Sequence, residues 1–177
     1  MDPIFYPVII FVAVGIIMIA IALNNIYANA NTNEGVYANN QGASTAMPVV
    51  LTGTSQLKYN SSIGLRVHSH GKITANNVTA SGNHNIGADL LNTCVPCSSD
   101  VILTGVNAFH DNTGTGLNVS SYGAITAANL SADRNGGYGA NLDNHDAASA
   151  RPVTLSGSNS FRNNSQINLF ISTRGAI

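Results

Sequence analysis

The spacing of two cysteines is the clearest sign of possible chemistry in this sequence. Cys94 and Cys97 form a Cys-x-x-Cys motif. Attachment of a c-type haem requires a His directly after this motif, and none is present. A zinc site would require a second cysteine pair, and the sequence has none. A redox-active motif usually opens a helix, and the surrounding sequence predicts none. We therefore predict a short loop disulfide formed in an oxidising compartment, with free thiols as the alternative.

Histidines and carboxylates offer little support for metal binding or acid–base chemistry. His68 and His70 flank a single residue and could face the same side of a strand, but no carboxylate lies near them in sequence. Asp89, Asp111 and Arg134 would have to meet across the fold to form a catalytic group. The sequence therefore predicts no catalytic, metal or cofactor site, and we expect a protein that is not an enzyme.

The charge content excludes one class of partner. Only 8 % of the 177 residues are charged, the formal net charge is −1, and the seven Lys and Arg residues are scattered. Nucleic-acid binding needs clustered basic side chains, so we expect no nucleic-acid partner. The abundance of small polar residues is also typical of disordered chains, but regularly spaced Val, Ile and Leu supply a core that can stack.

A repeat of 52 residues governs the chain from residue 21 onward. Aligned glycines show it most clearly, and they are Gly35, Gly87 and Gly139. Three gapless copies indicate a solenoid. Aliphatic–Thr–Asn submotifs place the coil starts at residues 21, 51, 73, 103, 125 and 155, so that coils alternate between 30 and 22 residues. The extra residues would bulge near residues 42–47, 94–99 and 146–151.

The short strands and their corners explain why such a chain would coil. Leu65-Arg66-Val67 alternates apolar and polar side chains, which places the aliphatic groups inside. Asn at one corner of each coil can bond to the coils above and below. We therefore predict a structural asparagine ladder of Asn25, Asn77, Asn107, Asn129 and Asn159.

Asn-x-Ser/Thr sequons provide possible glycosylation sites. Asn77 and Asn129 match the sequon but belong to the predicted ladder, where a glycan would not fit. The remaining candidates are Asn60, Asn118 and Asn163.

Residues 101–109 read Val-x-Leu-Thr-Gly-x-Asn-x-Phe. This pattern resembles the right-handed β-helix repeats of bacterial surface proteins, including filamentous-haemagglutinin-like adhesins. The resemblance implies an all-β, right-handed parallel β-helix over residues 21–177, of about six coils in three repeats. The pectate-lyase-like superfamily uses the same coil for enzymes, so fold alone does not imply function.

Residues 4–23 form an uncharged, apolar run. A helix of about 20 residues would span about 30 Å, the thickness of a bilayer core. We predict an anchoring or filament-core helix over residues 1–20. A cleaved signal peptide and an apolar cap over the solenoid are the alternatives. The run from Tyr6 also resembles the N-terminal helix of type IV pilins.

Repetition builds length and a regular surface, whereas catalysis needs one unique constellation. We therefore expect a structural subunit at the cell surface, either of a pilus-like extracellular filament or of a membrane-anchored adhesin or stalk. End-to-end β-helix stacking and helix packing would assemble it, because a head-to-tail contact that does not close gives open filaments. Its expected partners are further copies of itself, the membrane and surface glycans. The alternatives are a carbohydrate-active enzyme, a glycan-binding module, and a fragment of a longer repeat protein.

Overall fold

The computed structural model describes residues 20–43, 45–95 and 97–177, which form a parallel β-solenoid of about five turns. Its strands line three walls, and one strand from each wall makes up a rung. Wall A is a six-stranded sheet of β1 (Ile21–Asn24), β3 (Val49–Thr52), β6 (Ile73–Asn76), β9 (Val101–Thr104), β12 (Ile125–Ala128) and β15 (Val153–Ser156).

Walls B and C complete each rung. Wall B is built from the two-residue strands β4 (Ser55–Gln56), β7 (Val78–Thr79), β10 (Asn107–Ala108) and β13 (Leu130–Ser131), and single parallel bridges at Tyr27 and Ser160 extend it. Wall C is a six-stranded sheet of β2 (Val36–Asn39), β5 (Leu65–His68), β8 (Ala88–Asn92), β11 (Leu117–Ser121), β14 (Ala140–Asp143) and β16 (Leu169–Ser172). All strand pairs are parallel.

The core is a stack of aliphatic side chains enclosed by the three walls. In β5, Leu65 and Val67 are buried, whereas Arg66 and His68 point outward, as a side-chain period of two requires. Each rung places its inward side chains on those of the next, and Phe109 is the largest of the fully buried ones. Burying one such side chain contributes about 1.5–3 kcal/mol.

Strand pairing corrects the predicted coil lengths. Ile21 pairs with Val49, 28 positions on, and Val49 pairs with Ile73, 24 positions on. Rungs therefore alternate between 28 and 24 residues, not between 30 and 22. Leu51, predicted to start a coil, is instead the partner of Leu23. The prediction slipped by two residues because a slip of two leaves the same side chains facing inward.

The predicted fold class needs two further corrections. Six rungs, one for each strand of wall A, are separated by five returns of the chain, so the solenoid has about five turns where about six coils were predicted. Every regular element of the described residues is a strand, so they contain no helix. The last three residues of the apolar run lie in β1 (Ile21–Asn24). The N-terminal helix predicted over residues 1–20 lies outside the described residues except for Ala20. Within the described ranges, no helix is long and apolar enough to cross a membrane.

Candidate functional site

A buried amide ladder runs along the corner between walls B and C. In each pair of neighbours, the backbone N–H and side-chain amide of one Asn both donate to the side-chain oxygen of the next. The distances are 2.8–3.1 Å along its whole length. Its members are Asn31, Asn60, Asn83, Asn112, Asn135 and Asn164. The ladder ties all six rungs together; its four inner members are buried, and Asn31 and Asn164 at its ends are partly exposed.

The five asparagines predicted to form the ladder lie at a different corner, between walls A and B, in two sets. Asn25, Asn77 and Asn129 have φ angles of 50°, 49° and 47°. Their side-chain oxygens accept hydrogen bonds from backbone N–H groups of the following rung. Asn107 and Asn159 occupy the alternate rungs, and their side-chain oxygens accept from backbone N–H groups of the preceding rung. Both sets fasten neighbouring rungs, but neither forms a continuous ladder.

Sequence reasoning missed the buried ladder although a signal was present. Asn60, Asn112 and Asn164 recur at the 52-residue offset, and Asn31, Asn83 and Asn135 do the same. The two series interleave, so that successive ladder residues are 29 and 23 positions apart. The same separations divide the paired residues of wall B, Tyr27 with Gln56 and Gln56 with Thr79. Recognising this ladder would have required the correct rung lengths.

Long loops project from the corner between walls C and A in every second rung. An asparagine closes each loop by donating its side-chain amide to a carbonyl seven residues later. These closures join Asn40 to Met47, Asn92 to Ser99 and Asn144 to Arg151. In the middle loop, Cys94 and Cys97 form a disulfide with a Cα–Cα distance of 5.2 Å. The side chain of Val95, in the same loop, is exposed.

The three sequon asparagines differ in accessibility. The Asn60 side chain is fully buried, because it belongs to the amide ladder. Asn118 is partly buried, donates to Asp89 and accepts from Asn141. Asn163 is exposed, in a left-handed turn with φ 57°. Only Asn163 therefore presents an accessible amide.

The carboxylates considered for catalysis lie apart. Arg134 donates two hydrogen bonds to Asp111, at 2.7 and 2.9 Å, and this guanidinium holds the pKa of Asp111 below its ordinary value. Asp89 instead lies in wall C, where Asn118 donates to it and Arg66 is 3.8 Å away. The three residues named in the sequence analysis therefore do not form one acid–base group.

One His–Ser contact has the distance of a nucleophilic pair. The Nε2 atom of His110 lies 3.0 Å from the hydroxyl of Ser131. The Nδ1 atom of His110, however, accepts a hydrogen bond from the backbone N–H of Asp133. With Nδ1 accepting, Nε2 is the nitrogen that donates to Ser131, which is the opposite direction to that between a general base and its nucleophile. This contact joins rungs and does not activate a nucleophile.

The polar side chains form no metal cluster in the described part of the chain, where no three His, Cys, Asp or Glu residues group together. His68 packs edge-on against Tyr37, at 5.4 Å between ring centroids. A shallow polar groove of about 170 Å³ lies on wall C beside the second and third loops. Thr93, Ser120, Tyr122, Asp143 and Asp146 contribute to its lining.

The final rung leaves part of the core uncovered. Leu155, Leu169 and Ile171 are partly exposed, whereas their counterparts one repeat earlier, Leu103, Leu117 and Val119, are buried. Beside them, Phe170 is 38 % exposed. The outer edges of β15 and β16 pair with no further strand in the described structure. An apolar surface with open strand edges is a site for further strand addition.

Comparisons with protein-family models, curated proteins and solved structures find nothing that matches this chain. The functional argument therefore rests on the geometry.

Proposed function

We propose that this protein is a structural subunit of an extracellular surface filament, or of a stalk that carries an adhesin. The observation that carries the proposal is the continuity of the buried amide ladder through six rungs. A fully bonded polar network inside a stacked core fixes the register of every rung and stiffens the solenoid along its axis. Such a rod holds a distal group away from a surface.

The disulfide and the polar walls support an extracellular setting. A disulfide between Cys94 and Cys97 persists where thiols are oxidised, as outside the cell or in a periplasm. The side chains on the walls are mostly small and uncharged, as the 8 % charged content indicates. The proposal includes no role in catalysis, because Asp89 lies apart from the pair of Asp111 and Arg134.

A glycan-binding role on the same rod is the second candidate. The groove on wall C favours it, because hydroxyls, carboxylates and the ring of Tyr122 converge there. A glycan array with the intact protein and a Tyr122→Ala variant tests this function. Binding that is lost in the variant would support the second candidate.

Surface labelling tests the main proposal. Antibodies against the folded protein should label intact cells, and negative-stain electron microscopy should show rods or filaments on the surface. A panel of acidic polysaccharides, with and without calcium, should give no cleavage products. Confinement to the cell interior, or polysaccharide cleavage that survives purification to homogeneity, would contradict the proposal.

A further inference from the structure

The groove on wall C results from the alternation of rung types. The rung that begins at Val101 has no long loop, whereas the rungs on either side of it carry the loops closed by Asn92 and Asn144. Its turn at Tyr122 therefore lies between two loops, whose bases are about 10 Å apart. The groove of about 170 Å³ is lined by residues of both loops and of this turn. It is smaller than the pockets of about 300–1,000 Å³ that enclose drug-sized ligands, so it suits one sugar ring.

Hydrogen bonds fix the turn to the two loops. The Ser121 hydroxyl accepts the N–H of Gly123 at 3.0 Å and donates to the carbonyl of Ser99, at the end of the second loop, at 3.3 Å. On the other side, the side-chain amide of Asn144 donates to the carbonyl of Gly123 at 3.1 Å. The groove is therefore already formed in the free protein, and a ligand does not have to order it.

The groove offers hydroxyls and one aromatic ring to a ligand. The hydroxyls of Thr93, Ser120 and Tyr122 border it, and none of the three makes a hydrogen bond within the described ranges. Tyr122 combines an apolar ring with a polar tip. A sugar has the matching properties, because its ring carries hydroxyl groups around apolar C–H faces.

Two carboxylates give the groove a negative charge. Asp143 and Asp146 both line it, and neither pairs with a Lys or Arg in the described part of the chain. The ion-pair partner of Asp146 is the ring of His145, at 3.3 Å. Arg174, the nearby cation, donates instead to the carbonyl of Ala147 in the third loop. The two carboxylates can accept hydrogen bonds from hydroxyls and repel another carboxylate.

The corresponding place one repeat earlier has different side chains. It lies between the first and second loops, 52 positions upstream, where His70 replaces Tyr122. Leu91 and Cys94 occupy the positions of the two carboxylates. The combination of ring, hydroxyls and carboxylates is therefore specific to one groove of a repetitive molecule, as a binding site requires.

We propose that this groove binds one sugar residue without an acidic group, and that Asp143 and Asp146 exclude acidic sugars. This inference rests on the glycan-binding function, the second candidate above, and specifies its ligand class. The sugar hydroxyls donate to the two carboxylates, and one apolar face of the sugar packs against the ring of Tyr122. A uronic or sialic acid brings a third carboxylate beside these two, and its binding is weakened by repulsion.

A glycan array of paired ligands, probed with the intact protein, tests the inference. Each pair consists of a neutral hexoside and the uronic acid obtained by oxidising its primary alcohol to a carboxylate. We expect a neutral hexoside to bind and its uronic acid to bind at least about tenfold more weakly, because like charges in close contact disfavour binding. Added salt should reduce this discrimination by screening.

Neutralising the two carboxylates should remove the selectivity and leave the binding. In Asp143→Asn/Asp146→Asn, each side chain keeps an oxygen acceptor but loses its charge. This variant should still bind the neutral hexoside and should bind the paired uronic acid about as well. The control is Asp111→Asn, which removes a negative charge at the ion pair with Arg134 and should keep the discrimination of the parent. Circular dichroism verifies that every variant is folded.

Three results would overturn the inference. They are equal binding of both members of a pair by the parent, unchanged discrimination in the folded double variant, and loss of discrimination in Asp111→Asn. The glycan-binding function fails separately. Equal binding that Tyr122→Ala abolishes refutes only the selectivity, whereas an array on which no sugar binds refutes both. Surface labelling tests the rod independently of either result.

Discussion

The side-chain oxygen of Asn83 accepts two hydrogen bonds from Asn60, one from its backbone N–H at 3.0 Å and one from its side-chain amide at 2.9 Å. Both residues are fully buried, so water cannot replace a lost partner. Asn83→Ala should lower the free energy of unfolding by about 3 kcal/mol, because it leaves two buried donors unsatisfied. Urea denaturation followed by circular dichroism measures the loss.

The control for the ladder substitution is Asn85→Ala, at an exposed position two residues further on. Its effect should stay within about 0.5 kcal/mol, as is usual for surface changes. Equal losses for the two variants would show that the ladder contributes little to stability.

Reduction of the Cys94–Cys97 disulfide should leave the solenoid folded. The bond closes a very short loop outside the walls, so its entropic contribution is at most about 2 kcal/mol. Far-ultraviolet circular dichroism of the Cys94→Ser/Cys97→Ser variant should match that of the parent, with only a modest decrease in melting temperature. Mass spectrometry with and without reductant verifies the bond, and loss of the β signal would contradict the prediction.

Glycosylation of the folded protein should favour Asn163 over Asn60. The Asn163 side chain is exposed, whereas that of Asn60 is enclosed in the ladder. Enzymatic glycosylation of purified protein, followed by peptide mapping, should detect modification at Asn163 and none at Asn60. Asn163→Gln should abolish the signal. Modification at Asn60 without unfolding would mean that this corner opens readily.

The Asp111–Arg134 pair should make a small, pH-dependent contribution to stability. The hydrogen bonds from Arg134 lower the pKa of Asp111 from its ordinary value of 3.8 in the folded protein. The stabilisation is therefore present above the unfolded pKa and is lost as pH falls through the folded one. The side chains are about half exposed, so solvent screening keeps the contribution small.

The measurement compares melting temperatures of the parent and Asp111→Asn. The parent should be slightly more stable at about pH 7, and the difference should vanish below the folded pKa of Asp111. Added salt should also reduce it. A difference that persists in strong acid would indicate a role for Asp111 other than its charge.

The sequence predicts the parallel stacking from the recurrence of glycines such as Gly35 and Gly87. It does not reveal which asparagines are buried, because Asn77 and Asn83 both recur at 52 residues and only the direction of the side chain distinguishes them. The contact between His110 and Ser131 joins residues 21 positions apart on neighbouring rungs. No local motif marks such a pair, because its separation depends on the rung length.

The long loops form a regularly spaced row along one edge of the solenoid. They project from one corner in every second rung, beginning at Asn40, Asn92 and Asn144, so successive loops are about 10 Å apart. Extra residues at such a tip leave the alternation inside the walls unchanged, because each loop is already closed at its base. Foreign peptides grafted into these loops would be displayed in a row at even spacing, and their number would increase with the number of repeats.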